Sequence, residues 1–246
     1  MRSMIFGLVL VCSSAVAQVT GHVGPPVAPI GCPITISISN DTNDIYWVGC
    51  PLHGVRDAAG VPVLILGCNA AVTPMSPGAT TTTYWPQTDT SGTQVPPGTY
   101  LIDFWVGSIV QTQSVTIGGV DAAISILGAP HVGTTRNVRV CSPQDGGKAF
   151  AMAAALSTVP GIATCAGTVP LAPDSLFLLS VDPSNPHFLN FTGTLANDGS
   201  SEIPALAIPN IPGLVGQSFV LAFAAVDLSQ ACPVLRISAP LTVTVE

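Results

Sequence analysis

Four histidines (His22, His53, His131 and His187), thirteen Asp and Glu residues and seven cysteines carry what ionisable or nucleophilic chemistry this chain offers. No two histidines lie at a ligand spacing that would hold a metal on one turn or helix face. No G-x-S-x-G elbow is present, so a hydrolase serine of that kind has no support. No glycine-rich phosphate loop opens a helical pattern. Glutamate occurs only at 202 and 246. A glycosidase-type carboxylate pair would need partners distant in sequence, such as Asp103 and Asp121. A triad of His131, Asp145 and a serine has equally little local support. Asp41 and Asp44 share one short loop and Asp89 stands alone in another. Neither loop carries the further acidic ligands a Ca²⁺ ion takes, so both read as turns. The expectation is a protein that is not an enzyme, with no cofactor and no metal.

Stacking chemistry is the alternative. Sugars pack on exposed aromatic faces, and Trp47, Trp85 and Trp105 are the candidate ligand-facing side chains, with Tyr46 and Tyr84 beside them. Sandwich cores use Trp and Tyr in the same way, and aromatics are only 6% of residues, so core packing is the competing reading.

The elements that must position these groups are strands. Hydrophobic residues make up 48% and charged residues 8%, with a mean hydropathy of +0.57. Yet 24 glycines and 23 prolines interrupt the chain, so past its start no apolar run approaches the roughly 20 residues a membrane helix needs. Apolar segments chopped this finely point to an all-β fold, two tandem Ig-like β-sandwich domains. The net charge is −7 and the six Lys and Arg are scattered, which excludes the basic patch of a nucleic-acid partner.

The first 17 residues read as a signal peptide: Arg2, an apolar core over 5–11, and Ala15-Val16-Ala17 as cleavage site. Export leaves six cysteines and favours disulfides. The Asp57-Ala58-Ala59-Gly60 turn, with Asp57 opposite Val61, places Cys50 facing Cys68 across a hairpin. Cys141 with Cys165 is the second expected bridge, tethering the loop over 157–174. Cys32 and Cys232 then remain, to pair between domains or to stay free.

The stretch TTTTYWPQTDTSGTQVPPGTYLIDFWV (80–106) reads as two strands joined by an Asp89–Gly92 turn and a Pro96-Pro97-Gly98 bend. Tyr100, Ile102 and Phe104 share one face and Leu101, Asp103 and Trp105 the other. Trp85, Asp89, Gly92 and Val95-Pro96-Pro97-Gly98-Thr99-Tyr100 resemble Ig-like domains of the bacterial intracellular proteinase inhibitor (BsuPI) type and of flagellar hook-capping proteins, over about residues 34–117. The resemblance implies an Ig-like fold and, by analogy, inhibitor-like binding. The run from Phe191 to Asp227 with the closing ISAPLTVTV resembles a C-terminal module of secreted proteins from planctomycete-type bacteria, over about 128–245.

The expected boundaries are 1–17 signal peptide, 18–31 leader, 32–118 first sandwich and 119–246 second. Candidate strands in the second unit span 122–127, 136–141, 148–156, 176–181, 188–195, 203–208, 219–226 and 235–245. The functional expectation is an exported structural or interaction protein of the cell surface or extracellular space, the periplasm included. Its partner would be a protein or a polysaccharide. The alternative is a binding module for polysaccharide or peptide.

Overall fold

Glycine and proline recur so often that strands stay short, and the fold is assembled from many of them. The computed structural model describes residues 19–49, 53–65, 72–106 and 109–246. The first half carries β1 (Val19–Gly24), β2 (Val27–Ala28), β3 (Ile34–Asn40), β4 (Tyr46–Gly49), β5 (His53–Asp57), β6 (Pro62–Leu64), β7 (Val72–Met75), β8 (Thr80–Trp85), β9 (Gly98–Val106) and β10 (Ile109–Ile117). Their orders are β1-β3-β8 and β2-β10-β9-β5-β6, with β4-β7 a separate ribbon.

The second half carries β11 (Ala123–Ile126), β12 (Thr135–Cys141), β13 (Ala149–Ala155), β14 (Ile162–Thr164), β15 (Gly167–Val169), helix α1 (Ser175–Ser180), β16 (Phe188–Leu189), β17 (Thr192–Thr194), β18 (Ser200–Ser201), β19 (Ala205–Ala207), β20 (Ser218–Val226), β21 (Val234–Ile237) and β22 (Leu241–Thr244). One sheet runs β11-β12-β19-β16 with β18 also on β12; the other runs β17-β13-β20-β21 with β22 also on β20. The chain is all-β apart from α1 and one 3-10 turn among the described residues. No helix among them is long and apolar enough to cross a membrane.

Buried apolar side chains gather in two main clusters. One holds Ile34, Ile36, Ile38, Trp85, Ile102 and Phe104; the other holds Val138, Val140, Phe150, Met152, Leu221 and Phe223. The alternations read from β3 and β9 thus face inward as expected. A third, smaller cluster joins Ala153, Ala155, Val220 and Ala222 to Leu171 on the opposite face of β13 and β20. This second covering explains why β20 is apolar on both faces.

Several expectations change. Within the expected leader (18–31), residues 19–31 are not free, because β1 pairs antiparallel with β3 and β2 pairs parallel with β10. The alternation is hidden at Gly21, where the Phe104 ring lies so close that a Cβ would overlap it at 1.8 Å. Strands β8 and β9 do not form a hairpin; they belong to different sheets. Pro96 and Pro97 offer no amide to continue a ladder, which stops at the Thr88–Gln94 bridge. Residues 176–181, expected as a strand, fall largely in α1, because the Asp174 side chain accepts from Phe177 N at 3.0 Å and caps it.

The halves meet along β3. All seven of its residues are buried. Ile34, Ile36 and Ile38 enter the first core, while Thr35, Ser37 and Ser39 line the seam. Thr35 Oγ1 and Ser125 Oγ lie 3.2 Å apart. The Arg139 guanidinium stacks 5.0 Å from the Tyr84 ring centroid, and both side chains bond the Glu202 carboxylate. A disulfide, Cys32–Cys141, closes one end of the seam and spans 109 residues of sequence.

His53 sits on β5 facing Phe104, 2% exposed, with neither ring nitrogen bonded. Desolvation pulls its pKa down to about 4, so the folded state holds it neutral. Its unfolded pKa is near 6.5, so the native state resists a proton that the unfolded chain accepts. Stability should be level above about pH 6.5, fall by about 3 kcal/mol as pH drops towards 4, and level again. Urea unfolding at pH 7 and pH 4.5 checks this. His53→Leu should remove that component of the slope.

Candidate functional site

The sequence-predicted residues do not converge on one site. Cys141 is bonded to Cys32, and Cys165 to Cys232. The expected pairing of Cys141 with Cys165 is therefore replaced. The long loop holding Cys165 folds back as the β14–β15 hairpin and is tethered to the turn before β21, not to the end of β12. Cys50 and Cys68 lie outside the described residues. Within the adjacent hairpin Asp57 faces Val61 and Arg56 faces Pro62 as expected, and a bulge then sets Val55 opposite Leu64.

Trp85 is fully buried and is no ligand platform. It packs edge-to-face on Tyr100 at 5.2 Å and donates from Nε1 to Thr88 O at 2.8 Å. Trp105 is half-buried against Gly54. Trp47 is 56% exposed on β4, and Tyr84 is 37% exposed with one ring face against Arg139.

The carboxylates considered for catalysis each hold a structural contact. Asp103 accepts from Arg56 at 2.5 and 2.7 Å and from Thr112 at 2.7 Å, and the Arg56 bond lowers its pKa. Asp121 is exposed in the connection after β10. Asp145 is buried between Ser142 and Arg236. His131 contacts Asp41, not Asp145. The triad and the carboxylate pair considered above are not assembled by these contacts. A cavity of about 370 Å³ in the second half, lined by Leu176, Leu179, Phe188 and Leu214, is apolar; His187 is its one ionisable lining residue, with Nδ1 on Ala207 O.

A well-organised exposed feature is the loop joining β8 to β9. Residues 90–94 are exposed, yet the loop is bonded throughout. Asp89 Oδ1 accepts from Ser91 N at 2.8 Å, Ser91 Oγ at 2.6 Å and Thr93 N at 2.9 Å. These bonds, the Ser91 hydroxyl foremost, lower the Asp89 pKa. Gly92 takes the positive φ of 83° that the turn requires. Thr90 docks sideways on β6, its N–H donating to Val63 O at 3.1 Å and its Oγ1 accepting from Ile65 N at 3.2 Å.

Buried residues anchor both ends. Val95 is 5% exposed, and the Tyr100 hydroxyl holds Pro96 O at 2.7 Å. Gln87 is fully buried with φ of 60°, a left-handed conformation that costs a non-glycine residue about 1 kcal/mol or more. Its Oε1 accepts from Gly31 N at 2.8 Å, and its Nε2 donates to Pro29 O at 2.8 Å and Cys32 O at 2.6 Å. Those bonds hold the strained backbone in place. Sequence reading found the Asp89 turn and missed Gln87, whose partners lie more than 50 residues away in sequence. Between this loop and the β5–β6 hairpin lies an open depression of about 690 Å³ with Asp57 and Asp89 among its lining residues.

No family model and no curated protein matches the chain. Among solved structures the chain is similar to the crystal structure of red sea bream transglutaminase, at 8% sequence identity and a TM-score of 0.32. The match covers 94% of this chain and 32% of that one. A likeness at that score carries no argument about fold or activity.

Gln87→Ala removes three bonds and leaves Gly31 N and Cys32 O unpaired at the loop's base, while Pro29 O keeps its bond from Cys32 N at 3.2 Å. It should lower unfolding stability by about 2–4 kcal/mol. Amide exchange at Ser91 and Thr93 should rise with it. A loss below about 1 kcal/mol would mean that the loop is anchored elsewhere.

Proposed function

We propose that this is an exported, non-enzymatic interaction protein of the cell surface or extracellular space, and that the loop over residues 87–98 is the surface it offers to a partner. The observation that carries this reading is the loop's preorganisation. An exposed segment already bonded along its length and anchored at both ends loses little conformational entropy on binding. The rim carries Asp57 and Asp89, so a protein partner presenting Lys or Arg supplies the complementary charge. The disulfides fit an oxidising compartment outside the cytosol, in keeping with the signal-like first 17 residues.

A proteinase-inhibitor-like role is the specific form favoured by a rigid exposed loop between buried anchors. The residues that resemble the inhibitor-type domains, from Trp85 to Tyr100, are the same ones that build this loop. Polysaccharide stacking has less support. The exposed Trp47 and Tyr84, the latter with Arg139 on one ring face, lie on different sheets.

The test compares the wild-type protein with a variant whose residues 90–94 are replaced by Gly-Ser repeats. Both are titrated against a panel of secreted proteinases and against biotinylated extracellular proteins. Binding should weaken at least tenfold in the variant at unchanged melting temperature, and should weaken with added salt. Equal binding by the variant, or turnover of peptide or glycan substrates by the wild type, would overturn the reading.

A further inference from the structure

The seam between the halves ends in a cluster of donors that no hydrogen-bond network fully uses. Asp41, His131 and Glu246 each offer a ligand atom, and these atoms lie within 4.8 Å of one another. His131 Nε2 is 2.7 Å from Asp41 Oδ1. His22 Nε2 lies 3.8 Å from Glu246 Oε1, shielded from solvent and without a hydrogen-bond partner.

Each residue is held by local structure. Asp41 follows β3, in a loop fixed by the buried Asn40. The Asn40 Nδ2 donates to Met75 O and Asp44 O, both at 2.9 Å, and its Oδ1 accepts from Thr42. Asp41 Oδ2 accepts from Thr20 Oγ1 at 2.9 Å, which leaves Oδ1 to face His131. Thr20 and His22 are two apart on β1 and so share a face. From the other half, the Glu246 backbone is tied to the His131 segment by Glu246 N to Pro130 O at 3.1 Å and Val132 N to Glu246 O at 3.2 Å. Thr134 Oγ1 donates to His131 O at 2.7 Å.

We propose that Asp41, His131 and Glu246, with His22 as fourth donor, form a binding site for a borderline divalent transition-metal ion of the Zn²⁺ class. Two imidazoles and two carboxylates are the donor set of such ions; Ca²⁺ and Mg²⁺ take oxygen ligands alone. Tetrahedral Zn²⁺ with bonds near 2.0–2.2 Å sets its ligands about 3.3–3.6 Å apart. Rotation of His131 away from Asp41 brings the three clustered donors towards that spacing, and His22, 3.8 Å from Glu246 but outside the 4.8 Å group, has to swing further to complete the set. The charges suit a dication: two carboxylates, offset in part by the Arg136 guanidinium, whose charge Asp41 feels. Thr20 on Asp41 is the outer contact that orients a ligating carboxylate.

The placement assigns the ion a purpose. Cys32 and Asp41 stand beyond opposite ends of β3, separated by about 30 Å of extended chain. The disulfide joins the halves at one end, and the ion would join them at the other, with two ligands from each side. The site is independent of the loop over residues 87–98.

The test uses the oxidised protein, made without a polyhistidine tag and stripped with chelator. Calorimetric titration with ZnCl₂ should find one ion per chain with micromolar or tighter affinity. Co²⁺ in its place should show the intense visible absorption of low coordination number. Titration with CaCl₂ should show no binding at the same concentrations. Asp41→Asn and His131→Gln, which keep shape and hydrogen-bonding capacity, should each weaken Zn²⁺ at least a hundredfold. His22→Gln should weaken it tenfold or more, and Thr20→Val about tenfold. His187→Gln, away from the cluster, should bind as wild type. No Zn²⁺ binding at 100 micromolar metal, about a hundredfold above the affinity expected, would overturn the proposal. So would binding that survives both Asp41→Asn and His131→Gln with those variants shown folded by circular dichroism.

Discussion

Strand β3 is hydrogen-bonded on both edges and covered on both faces, and the rest of the molecule follows from that double burial. A strand alternates its side chains by geometry, so one face must be apolar and the other must suit whatever lies opposite. Here isoleucines fill the first core, while small hydroxyls pack against the second half. Of these hydroxyls Thr35 and Ser39 find partners in Ser125 and Thr80, while Ser37 Oγ is buried with none. Small side chains also let the two bodies approach closely. Gly128 packs against Thr80 at a distance that leaves no room for a larger residue, its Cβ position lying 3.0 Å from Thr80 Cγ2. The seam keeps one register throughout: Cys32 with Cys141, Thr35 with Ser125, Thr80 with Gly128, and Asp41 with His131.

That register links groups distant in sequence. The disulfide at the start of β3 sits beside Cys32 O, which accepts from Gln87 at the base of the exposed loop. The loop is thus fastened to the most constrained part of the chain. Its tip is exposed while its ends are held, the arrangement on which the proposed partner-binding role rests.

Much of this architecture was legible in the residues themselves. The isoleucines of β3 and the Tyr100, Ile102 and Phe104 run declared their inward faces. The Asp57–Gly60 and Asp89–Gly92 turns formed where Asp and Gly demanded. Residues 149–155, rich in alanine and helical by propensity, are a strand because their neighbours supply ladders on both edges. What escaped was tertiary. Gly21 concealed a strand because its inward space belongs to Phe104. The four leucine and phenylalanine residues of 176–179 looked like a strand until Asp174 capped them. The partners of Gln87 and of Cys141 lie too far along the chain for any local pattern to name them. His22, Asp41, His131 and Glu246 show no ligand spacing in sequence because four separate segments deliver them.

The most direct test of this account is the covalent map of the seam. The oxidised protein, digested without reduction and analysed by mass spectrometry, should yield one linked peptide joining Cys32 to Cys141 and another joining Cys165 to Cys232. A peptide joining Cys141 to Cys165, or free thiols at Cys32 and Cys141, would mean that the two halves do not meet along β3 in the register described.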